Sequence, residues 1–236
     1  MNDKIQLLDL AIDNYTAKDA MKLVIEYLNK EQLNVVEFIT LSTLGKIQNQ
    51  EELQRQISQF DITFAGDKAI LEAAGIKDDW RLQQAEPILF VKMVMRYLHK
   101  NKVRVFLLAE KESSMNKLKQ ILKAGYEGIQ VVGSATMEEQ VSNDMLLNQV
   151  NGVETDCILS TLSSPLQEEF IIRNKTLLHA KLWLGLGIML NKMTESESFV
   201  QKIKKIVIRQ ILKQQIEQTK IVNNDKEKNQ IKNIEN

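Results

Sequence analysis

Short apolar runs alternate along the chain with longer segments whose apolar residues recur at helical spacing. Residues 5–13 read as a strand pair or extended entry, and 16–30 as a helix capped by Thr16 with Asp19 three positions on. The run 34–41 reads as a buried strand, 48–60 as a polar-faced helix, 61–66 as the next strand, and the following short helix ends at Gly75. Pro87 opens a helix to residue 101. From Val103 to Gly187 three strand-helix units follow and end in a strand, with Gly125 stopping the first of their helices, 111–125. The other two helices are expected over 136–152 and 164–180. This order predicts an α/β domain, a mostly parallel sheet with helices on both faces in a Rossmann-like arrangement.

After Met193 the texture changes. The stretch 194–221 has no strand pattern and no glycine, and sets Lys202, Lys205, Arg209 and Lys213 on one helical stripe with Ile203, Val207, Ile208, Ile211 and Leu212 on another face. We read residues 1–193 as the α/β domain and 194–221 as a C-terminal basic amphipathic helical appendage. Residues 222–236, rich in Asn, Lys and Glu, read as a disordered tail. The appendage has two readings, docking on the domain or a second subunit, and contact with an anionic membrane surface.

At 236 residues and 44% hydrophobic, the chain has enough apolar material for a substantial core. Lys plus Arg and Asp plus Glu both total 31, so net charge argues against a nucleic-acid partner and leaves any anionic ligand to be met locally. The lone cysteine, Cys157, excludes an internal disulfide and reads as a small buried hydrophobe in a reducing compartment. Acidic residues stand where a signal peptide needs basic ones, and no apolar run reaches the roughly 20 residues of a membrane-spanning helix. The expected location is cytoplasmic.

In open α/β sheets ligands bind outside the carboxyl ends of the strands, so the strand-to-helix junctions are the candidate sites. They are ITLST (39–43), AGDK (65–68), LLAEKESS (107–114), VVGSAT (131–136) and LSSPLQEE (162–169). Asp67, between a strand and a helix, reads either as a helix cap or as a catalytic base. Pro165 opens a helix whose first turn holds Gln167 and Glu168, either as ordinary first-turn residues or as contacts to a sugar or nucleotide. No Walker loop or dinucleotide fingerprint is present, no serine sits in a nucleophile elbow, and His99 and His179 have no metal-ligand spacing. The residues therefore call for no metal and no cofactor.

Taken in order, the junctions resemble the WecG/TagA/CpsF family of bacterial glycosyltransferases, glycosyltransferase family 26, from about Ile5 to about Asn191. Thr40 matches a threonine of a Thr-x-Asn element, with Ser42 in the asparagine's place. Asp67 matches the aspartate of an Asp-Gly pair, with Lys68 for the glycine. Arg81 matches the arginine of an Arg-x-x-Gly-x-Asp element, with Glu86 in the aspartate's place. Ala109 and Glu110 replace the glycines of a Leu-Leu-Gly-Gly stretch. Ser164, Pro165, Gln167, Glu168, Ile171 and Asn174 keep the pattern around Gly-x-Pro-x-Gln-Glu, and Gly185 and Gly187 match a glycine pair, with Asn191 in place of an aspartate.

The resemblance implies transfer of N-acetylmannosamine, or a related sugar, with inversion from a UDP donor to a lipid-diphosphate-linked acceptor. It casts Asp67 as general base and Thr40 as the second catalytic residue, which helps position the sugars. Ser42, Arg81, Glu86, Gln167 and Glu168 become substrate contacts, without a metal. It also implies an appendage that reaches the membrane-bound acceptor, here through Lys202, Lys205, Arg209 and Lys213, and hence a place on the inner face of the cell membrane. The replaced glycines point to a divergent member. The alternative is a catalytically inactive one that binds a sugar nucleotide or partners an active transferase, as a homo-oligomer or otherwise.

Overall fold

The structure is a computed structural model and describes residues 4–76, 87–139 and 142–192. Eight strands form one sheet: β1 (Lys4–Leu7), β2 (Leu10–Asp13), β3 (Asn34–Ile39), β4 (Ile62–Ala65), β5 (Arg104–Ala109), β6 (Gln130–Thr136), β7 (Cys157–Ser160) and β8 (Leu182–Gly185), in the order β1-β2-β4-β3-β8-β7-β5-β6. Every pairing is parallel except β1 with β2. The predicted mostly parallel α/β fold is the one observed. The β2 to β4 junction has one residue pair in register, Asp13 with Phe64, and the Asp13 carboxylate reinforces it by accepting the Thr63 amide at 2.9 Å.

The helices are α1 (Ala17–Tyr27), α2 (Leu41–Ile47), α3 (Glu51–Ile57), α4 (Lys68–Ala73), α5 (Pro87–Lys100), α6 (Glu112–Gly125), α7 (Asn143–Asn151), α8 (Leu166–Asn174) and α9 (Gly187–Lys192). Strand residues divide between two cores by the period of two: Phe106 and Leu108 face the layer of α2, α3, α4, α7 and α8, whereas Val105, Leu107 and Ala109 face α1, α5, α6 and α9. Connections running toward the β1 edge (β3 to β4, β6 to β7, β7 to β8) place their helices on the first face. Those running toward the β6 edge (β2 to β3, β5 to β6) use the second. One handedness therefore governs all of these crossovers, as strand twist requires.

Local signals account for most boundaries. Thr16 accepts the Asp19 amide at 3.2 Å and starts α1, and Gly75, at a φ of +84°, follows the end of α4. Three expectations change. The strand read over 34–41 stops at Ile39, and residues 41–47 are a helix: Thr40 caps it through the Thr43 amide at 3.1 Å, and Leu41, Leu44 and Ile47 bury one face despite Gly45. The helix expected from 136 has a single 3-10 turn at Met137–Glu139, and α7 begins only after Ser142 accepts the Met145 amide. Helix α8 ends at Asn174, whose side-chain amide turns back onto the Phe170 carbonyl at 2.8 Å. The appendage 194–221 and the tail 222–236 lie outside the described residues.

Beneath α5, Phe64 and Phe90 stack at 5.2 Å, and Phe38 meets both rings at 5.9 and 6.0 Å. Phe90→Ala is expected to cost about 3–5 kcal/mol of unfolding free energy, whereas Leu89→Ala, on the exposed side of the same helix, stays within about 0.5 kcal/mol. Urea titration of the two variants checks this.

Candidate active site

Strands β3 and β7 lead into α2 and α8 on one face of the sheet, while β5 and β8 lead into α6 and α9 on the other. The chain thus parts at the carboxyl ends of these strands, and a cleft of about 270 Å³ opens there. A wider hollow of about 760 Å³ lies at the opposite end of the sheet. Its cations are already paired: Arg104 with Glu154 at 2.7 Å, Lys175 with Asp61 at 2.7 Å and Lys181 with Asp156 at 2.9 Å. The smaller cleft is the better ligand site, because it is lined by buried polar groups, Thr161, Ser164 and Gln167, with side-chain atoms that find no hydrogen-bond partner among the described residues.

Helix α2 and its cap contribute Thr40, Ser42 and Lys46 to this cleft. Thr40 is 2% exposed, and its hydroxyl is engaged by the Thr43 amide and hydroxyl, both at 3.1 Å. The end of β4 presses directly on it: a Cβ on Gly66 would lie 2.6 Å from Thr40 Cγ2 and 3.0 Å from the Ile39 carbonyl oxygen, so glycine is required there. Asp67 follows. Its Oδ1 accepts the Ile70 amide at 3.1 Å and caps α4, while its Oδ2 accepts the Leu41 amide at 3.1 Å, so one carboxylate closes the starts of two helices. Asp67 is partly exposed and adjoins Thr40 at the edge of the cleft without lining it; Lys68 beside it is exposed.

The opposing side comes from the β7 end and α8. Gln167 is 2% exposed and Glu168 is 1% exposed. Gln167 donates its Nε2 to Glu37 Oε2 at 2.6 Å, and Glu37 Oε1 accepts the Phe38 amide at 3.0 Å. Burial pushes the Glu37 carboxyl well above the usual carboxylate range and the nearby Glu168 raises it further, against the Phe38 amide and Gln167. Burial also raises Glu168, opposed by its own backbone amide, the neighbouring Ser164 hydroxyl and the Lys46 ammonium. Ser164 approaches that carboxylate without reaching full hydrogen-bond geometry. Lys46 spans the cleft, its Nζ donating to the Ser164 carbonyl at 2.7 Å. Glu110 Oε2 accepts the Ser163 amide at 3.1 Å, and the Ser163 hydroxyl and amide, with Lys111 and Lys46, hold its carboxyl below the ordinary range.

Of the residues singled out from the sequence, Thr40, Ser42 and Gln167 meet in one cleft, Glu168 is buried next to them and Asp67 adjoins. Arg81, Glu86, Lys202, Lys205, Arg209 and Lys213 lie outside the described residues. Sequence reasoning missed Glu37, Lys46 and Lys111. Glu37 had a signal: it is the one charge in the fully buried strand NVVEFI, where parallel strands carry apolar runs. Lys46 and Lys111 had none, since a lysine on a helix or at its start is ordinary.

The raised carboxyls have a measurable consequence. Between the ordinary glutamate range near pH 4.3 and the raised value, the folded protein holds a proton that the unfolded chain has released, so stability falls as pH climbs through that window. Glu37→Gln removes one such group and is expected to flatten the fall in melting temperature above pH 4.5. Identical slopes for both proteins would contradict the assignment.

A comparison with curated proteins finds no match. The family model described as the glycosyl transferase WecG/TagA/CpsF family matches residues 5–202, which takes in the whole sheet except Lys4 and every residue of the cleft. The chain thus belongs to the WecG/TagA/CpsF family of glycosyltransferases, a family of cell-envelope polysaccharide synthesis.

Proposed function

We propose that the cleft holds a UDP-sugar and that the protein transfers N-acetylmannosamine, or a related sugar, with inversion to a lipid-diphosphate-linked acceptor. The observation that carries this reading is the convergence of Thr40, Ser42 and Gln167 with the cations Lys46 and Lys111 in one cleft at the carboxyl ends of four parallel strands. In the reaction the acceptor hydroxyl oxygen attacks the anomeric carbon, the bond from that carbon to the UDP oxygen breaks, and UDP departs with the electron pair. Asp67 takes the hydroxyl proton; each of its oxygens accepts one amide and retains a second lone pair. Thr40 sets the neighbouring backbone. Lys46 and Lys111 stabilise the charge that develops on the diphosphate, and Arg81 adds to it. Ser42, Gln167, Glu168 and Glu86 contact the nucleotide-sugar.

The acceptor is reached through the appendage, where Lys202, Lys205, Arg209 and Lys213 meet anionic lipid on the inner face of the membrane. Among the described residues no helix is long and apolar enough to cross a membrane. A second copy of the chain, or an active transferase, is the protein partner in this setting.

One observation favours a second reading, a catalytically inactive member that acts as a sugar-nucleotide-binding or interaction partner of an active transferase. The Glu110 carboxylate already occupies the Ser163 amide beside Lys46 and Lys111, so the protein supplies its own anion where a phosphate would otherwise sit. Purified full chain assayed with several UDP-sugars and a lipid-linked acceptor separates the two. Transfer is expected, falling at least 100-fold in Asp67→Asn. Transfer insensitive to that substitution contradicts the proposed base, and UDP binding by calorimetry without any transfer supports the second reading.

A further inference from the structure

Glu37 sits in the middle of β3, on the face that carries Val35 and Ile39 into the apolar core, and is 4% exposed. A carboxyl there needs partners, and the surroundings are built to supply them. The next strand places Gly185 over it: a Cβ at that position would come within 2.5 Å of both Glu37 Oε2 and Gln167 Nε2. The missing side chain leaves the gap through which the helix α8 amide reaches the strand β3 carboxyl at 2.6 Å. Strand, glycine and helix thus fit around this single hydrogen bond.

The bond has an effect on the other half of the Gln167 amide. With Nε2 turned to Glu37, Gln167 Oε1 is left buried in a residue that lines the cleft, and it has no hydrogen-bond partner among the described residues. Thr161 Oγ1, 93% buried by residue and lining the same cleft, is also unpartnered. An amide oxygen accepts only, so the group that satisfies Gln167 is a donor.

We propose that Glu37 is a positioning residue: it holds the Gln167 side chain so that Oε1 is a fixed acceptor in the floor of the cleft. The ligand group that docks there carries an O–H or N–H, from a sugar hydroxyl, an acetamido group or the uracil ring. The inference rests on the cleft being the nucleotide-sugar site, and it assigns to the floor the recognition of neutral donor groups. The lysines Lys46 and Lys111 are left to meet the phosphates. Rejection of ligands without that donor follows, because a buried acceptor stripped of water has nothing else to pair with.

Two measurements on the full chain test it. In the free protein, the Gln167 side-chain NH2 resonance, assigned by its loss in Gln167→Met, is expected to be shifted and slow to exchange. It is retained in Glu37→Gln, whose amide oxygen still accepts, and collapses to solvent-exposed behaviour in Glu37→Met. With UDP-N-acetylglucosamine as the calorimetric probe, Glu37→Met and Gln167→Met each weaken binding about tenfold, the double variant is no worse than either, and Glu37→Gln binds as the parent does. Should Glu37→Met fail to fold, Glu37→Asp, which withdraws the carboxyl by one methylene, takes its place. A Gln167 resonance indifferent to residue 37, or additive losses in the double variant, overturns the inference. If the parent binds no UDP compound, the nucleotide-sugar reading fails while the resonance experiment still decides whether Glu37 positions Gln167.

Discussion

The hydrogen bond from Gln167 to Glu37 joins a central strand, a glycine on its neighbour and the helix packed above them. A carboxyl in the middle of a buried strand is costly to desolvate, and its pairing with an amide at 2.6 Å offsets part of that cost. With the pair in place, the first turn of α8 is held over the end of β3, and Thr161, Ser163, Ser164 and Gln167 are brought opposite Thr40 and Ser42.

The position of the cleft follows from chain direction. Parallel strands end together, and their connections leave to the first face after β3 and β7 but to the second face after β5 and β8. Among the described residues the gap between the departing chains is open, and the backbone amides of the helix starts point toward it. The two lysines and the Ser163 amide give that gap anion-binding character, which Glu110 partly neutralises from within. The hollow at the amino ends lacks this property, since its charges pair with one another.

Most strands were legible because they are short apolar runs bounded by polar residues or glycine, and their parallel order because helical periodicity separates them. Helix α2 was not, since its seven residues include three β-branched or hydroxyl-bearing positions, Ser42, Thr43 and Ile47, and Gly45, and its cap, Thr40, was read as a strand end. Asp67 shows where residue chemistry stops. The sequence allowed a cap or a base; the geometry shows the cap, doubled onto α2 as well as α4, and leaves lone pairs for the base chemistry we propose. Glu37 was visible as an oddity in NVVEFI, but its partner lies 130 residues away, and only the meeting of β3, β8 and α8 explains why a carboxyl stands there. Lys46 and Lys111 acquire meaning from the fold alone.

That the cleft at the carboxyl ends receives a nucleotide-sugar is tested most directly by hydrogen–deuterium exchange of the full chain with and without saturating UDP. Slower exchange is predicted in the segments 40–46, 110–114 and 161–168, with 154–156 and 175–181 unchanged. Protection confined to 154–156 and 175–181, at the other end of the sheet, would contradict it.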